Sequence, residues 1–108
     1  MATELPLRVT VRVLLATGPA KGERRERRSD ALRWPPARLH FAGALPIEGA
    51  GEGSVVFALP GDEEPIACAA RLHFDPERPE RGSTAELWSL SAEHEAAIEA
   101  YVAAGGEP

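Results

Sequence analysis

Apolar and polar residues alternate along much of the chain, and this period of two is clearest in residues 7–13 and 66–74. One face of these two stretches carries Leu7, Val9, Val11 and Val13 in the first, and Ile66, Cys68, Ala70, Leu72 and Phe74 in the second. Alternation rich in β-branched residues is typical of strands buried on one face. Both stretches are therefore predicted to be β-strands.

Shorter apolar runs separated by turns rich in glycine and proline predict further strands near residues 38–45, 54–60 and 84–90. Residues 30–34 form a possible short strand, which the following Pro35-Pro36 would end because proline cannot donate to a strand ladder. The pattern predicts five or six short antiparallel strands within residues 5–90.

The period changes to that of a helix after residue 90. Ser91 can cap the N-terminus of a helix over about residues 91–104, and Gly105 can end it. Ala97, Ile98 and Tyr101 form an apolar stripe at helical spacing. We therefore predict a single mainly β domain over residues 1–108, a small barrel whose C-terminal helix covers one open side or end.

Composition and charge predict the cellular compartment of the protein. The chain has 108 residues, a formal net charge of -5 and a single cysteine, Cys68, which suits a reducing compartment and excludes an internal disulfide framework. Its first residues lack the basic-then-apolar pattern of a secretory signal, and no apolar run reaches the roughly 20 residues of a membrane span. We expect a cytoplasmic protein without membrane insertion.

The sequence contains few residues arranged for catalysis or for binding a metal or cofactor. His40, His73 and His94 fall on separate elements, and Cys68 sits within an apolar alternation, so neither a metal site nor a catalytic cysteine is predicted. No phosphate-binding or dinucleotide-binding motif is present, and no cofactor is expected. The acidic chain, with 6% aromatic residues, does not favour nucleic-acid binding. We expect a protein that is not an enzyme.

Four arginines nevertheless gather within five positions, at Arg24, Arg25, Arg27 and Arg28. The sequence places them in the connection after the first strand, and Ser29-Asp30 is interpreted as turn chemistry. Three interpretations remain open for this cluster: an anion or nucleotide site, a solvated loop, and a docking patch for a protein with an acidic surface. Trp34 is a further candidate for partner binding, because tryptophan and arginine are enriched in interfaces.

Two stretches, residues 53–74 (GSVVFALPGDEEPIACAARLHF) and 82–104 (GSTAELWSLSAEHEAAIEAYVAA), resemble the second half of the PilZ domain family. Their order and spacing match the late strands and the C-terminal helix of that family. The resemblance extends more weakly back through ARLHFAGALP and LRVTVRV, so it covers most of the chain. It implies a small barrel with a C-terminal helix.

The resemblance also implies a ligand site, since typical PilZ domains bind cyclic di-GMP through R-x-x-x-R and D/N-x-S-x-x-G. The positions matching these motifs carry Glu4, Arg8, Leu32, Trp34 and Ala37. A carboxylate, a leucine and a tryptophan replace the expected arginine, acid and serine, so we expect messenger binding to be lost. The resemblance then implies a bacterial regulatory adaptor acting through protein contacts, plausibly with the surface-motility machinery. The alternative is a true cyclic di-GMP receptor that uses the arginines of residues 24–28.

Overall fold

Seven strands and one α-helix make up the structure, a computed structural model that describes residues 2–106. The strands are β1 (Thr3–Pro6), β2 (Thr10–Leu15), β3 (Arg24–Trp34), β4 (Arg38–Phe41), β5 (Gly49–Phe57), β6 (Ile66–Phe74) and β7 (Ser83–Trp88). One turn of 3-10 helix, Pro79–Arg81, precedes β7, and the α-helix α1 (Ala92–Ala103) follows it.

Six strands close into an antiparallel barrel in the order β3-β2-β5-β6-β7-β4, and the pairing of β4 with β3 completes the ring. β1 lies outside the ring and pairs with the second half of β3. Closing a sheet on itself removes most of its free edges. The prediction of a mainly β barrel with a C-terminal helix is confirmed, with one strand more than expected.

The barrel interior is filled by the apolar faces that the sequence predicted. In β2 and β6 the buried positions alternate strictly with more exposed ones. The largest side chains that lie fully inside are Leu7, Val11, Val13, Leu15, Leu32, Leu39, Phe41, Val55, Ile66, Leu72 and Ile98. Burial of one such side chain contributes roughly 1.5–3 kcal/mol. The alternation of apolar and polar residues in the sequence therefore identifies the side chains that fill the barrel.

The C-terminal helix is capped and packed as predicted. Ser91 accepts a hydrogen bond from the backbone N–H of His94, at 3.1 Å, and so caps α1. Ile98 and Tyr101 are buried in the same apolar cluster as the barrel interior. The helix ends at Ala103, and Gly105, just beyond the C-cap residue Ala104, has a φ of 80°, the left-handed conformation that glycine adopts without strain.

The arginine-rich stretch is part of a strand, so the prediction that residues 24–28 form a loop is wrong. β3 runs without interruption from Arg24 to Trp34 and also contains the short strand predicted over residues 30–34. Residues 10–14 of β2 provide a complete ladder opposite residues 24–28. Backbone groups form the hydrogen bonds of this ladder. The strand can therefore extend through five residues with polar side chains and needs no apolar residue among them.

The first predicted strand begins later than the alternation over residues 7–13 indicates, because β2 starts at Thr10 and a separate strand, β1, ends at Pro6. Between the pairs Pro6–Ala31 and Thr10–Arg28 the first segment contains one residue more than the second, so the ladder carries a bulge. Ser29 lies at this bulge and is buried, so its interpretation as a turn residue is also wrong.

The Ser29 hydroxyl connects the two sides of the bulge. Its Oγ donates to the carbonyl oxygen of Leu7 at 2.6 Å and accepts from the backbone N–H of Val9 at 3.1 Å. Buried backbone groups that leave a ladder need another partner. A serine therefore satisfies the backbone where β1 ends and β2 has not yet begun.

Candidate functional site

The four arginines lie on two different faces of β3, because side chains alternate along a strand. We call residues 24–28 the arginine strand. Arg24, Glu26 and Arg28 are exposed on the outside of the barrel, whereas Arg25 and Arg27 are half-buried. The cluster is therefore two pairs of arginines with different surroundings.

The half-buried pair is held by local contacts. Arg25 Nη2 lies 3.2 Å from Glu23 Oε2 in an ion pair. Arg27 Nε donates a hydrogen bond of 2.9 Å to the carbonyl oxygen of Ala44, in the segment that follows β4. Arg27 thus ties the arginine strand to the connection between β4 and β5, a structural role that sequence alone did not reveal.

The same two side chains also cover backbone carbonyls of their own strand. Arg25 Nη1 donates to the carbonyl oxygen of Arg24 at 3.3 Å, and Arg27 Nη1 donates to that of Glu26 at 2.9 Å. Side-chain donors therefore occupy two carbonyl oxygens that β3 offers to no neighbouring strand.

Arg24, one of the outward pair, borders a shallow cleft on the outer face of β2, β3 and β5. Leu14 lies opposite Arg24, and Arg12 lies opposite both Glu26 and Val56, which places these five side chains on one face. They line a cleft of about 430 Å³. Leu14 and Val56 are 38% and 37% exposed, so this cleft holds two exposed large apolar side chains. We call this surface the outer cleft.

Charge in the outer cleft is positive on balance. Arg12 Nε and Glu26 Oε1 are 3.7 Å apart, with both side chains more than two-thirds exposed at 77% and 68%. An exposed pair of this kind is weak, because water screens it. Arg24 makes no ion pair among the described residues. The cleft therefore combines two arginines and one glutamate with apolar side chains between them.

Trp88 lies at the far end of the same outward row. Leu14 is opposite Ser54, Ser54 is opposite Ala69, and Ala69 is opposite Trp88, so one row of neighbouring positions crosses four strands. Trp88 is 51% exposed. Ala69 lies between it and the cleft, and within this one row the positions between Arg24 and Trp88 are the small or apolar Leu14, Ser54 and Ala69.

Trp34, which the sequence analysis gave as a candidate for partner binding, is not part of this face. It is half-buried at the end of β3 and packs against the core. Six residues of extended strand, about 20 Å, separate it from Arg28. Of the hypothesised partner-binding residues, the structure places Arg24 and Arg28 on the outer side and Arg25 and Arg27 on the other, with Trp34 far from all four.

The five positions that match the ligand motifs of the resembling family are divided between surface and core. Glu4 is exposed on β1, and Arg8 is exposed in the connection to β2. Leu32 and Ala37 are buried, and Trp34 is half-buried, with all three in the apolar cluster or packed against it. Leu32 and Ala37 therefore offer no surface to a ligand.

A polar contact that the sequence analysis missed joins β3, β4 and the turn before β7. His40 Nδ1 lies 2.6 Å from Asp30 Oδ1, and His40 Nε2 lies 2.8 Å from the carbonyl oxygen of Arg81. A neutral imidazole donates from only one ring nitrogen, so hydrogen bonds to both acceptors require a protonated ring. Asp30 and His40 are equally far from Pro35 in sequence, which was a signal that a hairpin could bring them together.

The pKa of His40 reflects these contacts. Partial burial lowers it, but the hydrogen bond to Arg81, the hydrogen bond to Asp30 and the charges of Asp30 and Glu4 together outweigh burial and raise the pKa above 6.5. In a catalytic triad the Nε2 atom accepts a hydrogen bond from the nucleophile, whereas His40 Nε2 donates to the Arg81 carbonyl oxygen. The contact therefore fits a structural clamp.

Other reactive groups lie apart from one another. Burial raises the pKa of the Cys68 thiol to about 11, so it stays protonated in the core, as the sequence predicted. Across residues 2–106 no three side chains of His, Cys, Asp or Glu come together as a metal site. No helix within the same residues is long and apolar enough to cross a membrane.

Comparison with known proteins adds no assignment. A scan against protein-family models gives no match, and a search of curated proteins finds no significant relative.

Proposed function

We propose that this domain is a non-enzymatic adaptor that binds a protein with an acidic surface through the outer cleft. The observation that carries the proposal is the position of Arg12 and Arg24 beside the exposed Leu14 and Val56 on one open face. The guanidinium group of arginine can form two parallel hydrogen bonds to one carboxylate, and apolar neighbours keep water away from such pairs. Interfaces commonly combine these two features.

The net charge of the chain affects where an acidic partner would bind. The net charge is -5, so the chain as a whole repels an acidic protein, and attraction depends on local groups of cations such as the arginine strand. Complementary patches of this kind set the orientation and the rate of association more than its final affinity. The proposed partner therefore meets the barrel with one defined face, and its binding weakens as salt rises.

The resemblance to the PilZ family supplies the setting for the proposal. It rests on the sequence motifs of residues 53–74 and 82–104, and it implies a bacterial cytoplasmic regulator that acts on the surface-motility machinery. Loss of cyclic di-GMP binding is part of the same proposal. The burial of Leu32 and Ala37 supports it, because a ligand at those positions would have to displace core side chains.

A cyclic di-GMP receptor remains the second candidate, favoured by one observation. Arg24 and Arg28 have the spacing R-x-x-x-R and lie on the same outward face. Glu26 lies between them and repels a phosphate, which weighs against this candidate. Isothermal titration separates the two: we expect no heat of binding at micromolar messenger, and a dissociation constant near 1 μM, about -8.2 kcal/mol, would favour the receptor.

Affinity capture from the native host tests the adaptor proposal. We expect the native domain to capture an acidic protein that the double variant Arg12→Ala/Arg24→Ala does not capture. The matched control is Arg33→Ala/Arg71→Ala, which removes the same charge from two exposed arginines elsewhere on the barrel. Equal capture by both double variants would contradict the proposal, and unchanged melting temperatures would show that neither variant is unfolded.

A further inference from the structure

The arginine strand has a vacant edge. β2 pairs with residues 24–28 along one edge of β3, whereas β4 pairs with the opposite edge only from Ser29 onward, where Ser29 lies opposite Phe41. Within residues 2–106 no strand pairs with residues 24–28 on that second edge. Residues 49–51 of β5 and 66–68 of β6 also pair with a strand on one side only, but residues 24–28 are the segment of this kind that carries four arginines.

The direction of the backbone groups follows from the ladder. Ser29 N–H bonds to the carbonyl oxygen of Val9, and Leu15 N–H bonds to that of Glu23, so the odd residues of this part of β3 face β2. Hydrogen-bonded and non-bonded pairs alternate in an antiparallel ladder. The backbone groups of Arg24, Glu26 and Arg28 therefore face the vacant edge.

The side-chain contacts support this direction independently. The carbonyl oxygens that accept from Arg25 Nη1 and Arg27 Nη1 belong to Arg24 and Glu26, two of the residues whose backbone faces the vacant edge. These hydrogen bonds are exposed, so water or another donor can replace them with little loss. Within residues 2–106 no backbone–backbone hydrogen bond reaches this edge, although Gly43 and Ala44 of the β4–β5 connection lie beside the Arg27 side chain.

A second copy of this chain is a poor occupant of the edge. If two arginine strands paired antiparallel about Glu26, then Arg24 would face Arg28, Arg25 would face Arg27, and Glu26 would face its own copy. Parallel pairing in register also places identical charges opposite each other. Like charges directly opposite destabilise a strand pair. Charged edges of this kind prevent self-association, so a strand of opposite charge is required.

We propose that the vacant edge of residues 24–28 accepts an extended acidic segment of the partner as an additional β-strand. Main-chain hydrogen bonds to Arg24, Glu26 and Arg28 would provide the pairing, and carboxylates opposite the four arginines would provide the choice of partner. The complementary segment therefore has a central basic or neutral residue opposite Glu26, with two acidic residues on each side of it. This inference rests on the proposed function, because it specifies how the acidic partner binds.

The charge pattern and the backbone requirement can be tested with synthetic peptides. The probe is a peptide with the core Glu-Glu-Lys-Glu-Glu, flanked by Val-Thr at each end. Two further peptides carry backbone N-methyl groups on alternate core residues. One is methylated at the first, third and fifth core residues, and the other at the second and fourth. Strand addition predicts that one N-methylated peptide loses binding and the other keeps it, because alternate amides face β3. Equal binding of both N-methylated peptides would overturn the proposal.

A pair of protein variants tests the same point from the other side. Glu26→Pro and Glu26→Ala remove the same charge, but proline also removes the N–H that faces the vacant edge, and it leaves the ladder to β2 intact. We expect the peptide to bind Glu26→Ala as well as the native domain or better, and Glu26→Pro at least about tenfold more weakly. Equal affinities would show that charge alone attracts the peptide.

The outcomes separate this inference from the proposed function. A peptide that fails to bind the native domain, or that binds both Glu26 variants equally, overturns strand addition, while the capture experiment with Arg12→Ala/Arg24→Ala decides the adaptor function separately. Melting temperatures of the Glu26 variants show whether they are folded. If Glu26→Pro is unfolded, the two N-methylated peptides decide the question with the native domain.

Discussion

The two halves of β3 differ in almost every property although they form one continuous strand. The first half, residues 24–28, is paired on one edge and carries four arginines. The second half, residues 29–34, is paired with β1 on one edge and β4 on the other, and it buries Ser29 and Leu32. Composition therefore follows edge pairing: the doubly paired half builds the core, and the half with a vacant edge is charged.

This difference explains why an acidic chain concentrates arginine at one place. An unpaired apolar edge would invite indiscriminate pairing, and charged side chains prevent it. In our proposal the same arginines also make the edge and the adjoining outer cleft selective for an acidic partner. Protection of the edge and recognition would then be two consequences of one local sequence.

The largest expected effect of substitution lies in the doubly paired half. Leu32 is fully buried, so Leu32→Ala should lower the free energy of unfolding by about 2–5 kcal/mol. The control in the other half is Arg24→Ala, which should change it by no more than about 0.5 kcal/mol. Urea denaturation measures both, and similar losses would remove the distinction between the two halves.

Ser29 marks the boundary, and its hydroxyl should contribute measurably to stability. Ser29→Ala removes the hydrogen bond to the Leu7 carbonyl and leaves the Val9 N–H without its side-chain acceptor, so we expect a loss of about 1–3 kcal/mol. Ser54→Ala, on the outer face of β5, is the matched control and should be nearly neutral. Equal stabilities of the two variants in thermal denaturation would contradict this role of Ser29.

Within the arginine strand, the inward and outward arginines should differ in their effect on stability. Arg27→Ala loses the hydrogen bond to the Ala44 carbonyl and should cost about 0.5–1.5 kcal/mol, whereas Arg24→Ala should cost less. Partner binding should show the opposite order if the outer cleft is the binding surface. Chemical denaturation and affinity measurements on both variants would detect a reversal of either order.

The smallest expected effect is a pH dependence from the His40 clamp. Its pKa is raised above 6.5, so the protonated form stabilises the fold: the contribution is fully present below about pH 6.5 and is lost as pH rises through the folded-state pKa. His40→Gln should flatten the stability curve in this range. His73→Gln, which changes an exposed histidine, should leave the slope unchanged, and equal slopes for the native domain and His40→Gln would exclude the clamp.

The sequence predicted the core better than the charged face, and the reason is physical. In β6 every second residue is apolar, so the alternation that buries Ile66 to Phe74 is visible in the sequence. The arginine strand alternates too, but both of its faces are polar, and hydrophobic periodicity cannot identify it. Only the ladder to β2 shows that Arg25 and Arg27 lie on the other side from Arg24 and Arg28.

The two tryptophans show the same limit for the candidate site. Trp34 was a candidate for partner binding because tryptophan is enriched in interfaces, yet it packs against the core. Trp88 is exposed and shares an outward row with Leu14, a relation that requires the registers of three strand pairs. Surface neighbours that come from different strands are set by these registers, which local composition does not contain.

The affinity of the captured partner for two double variants tests the central claim most directly. Titration at low and high salt compares the native domain with Arg12→Ala/Arg24→Ala and with Arg33→Ala/Arg71→Ala. We predict that the outer-cleft variant binds at least about tenfold more weakly, a loss of about 1.4 kcal/mol, and depends less on salt, while the control matches the native domain. Equal weakening by both variants would show that overall charge, and not the outer cleft, attracts the partner.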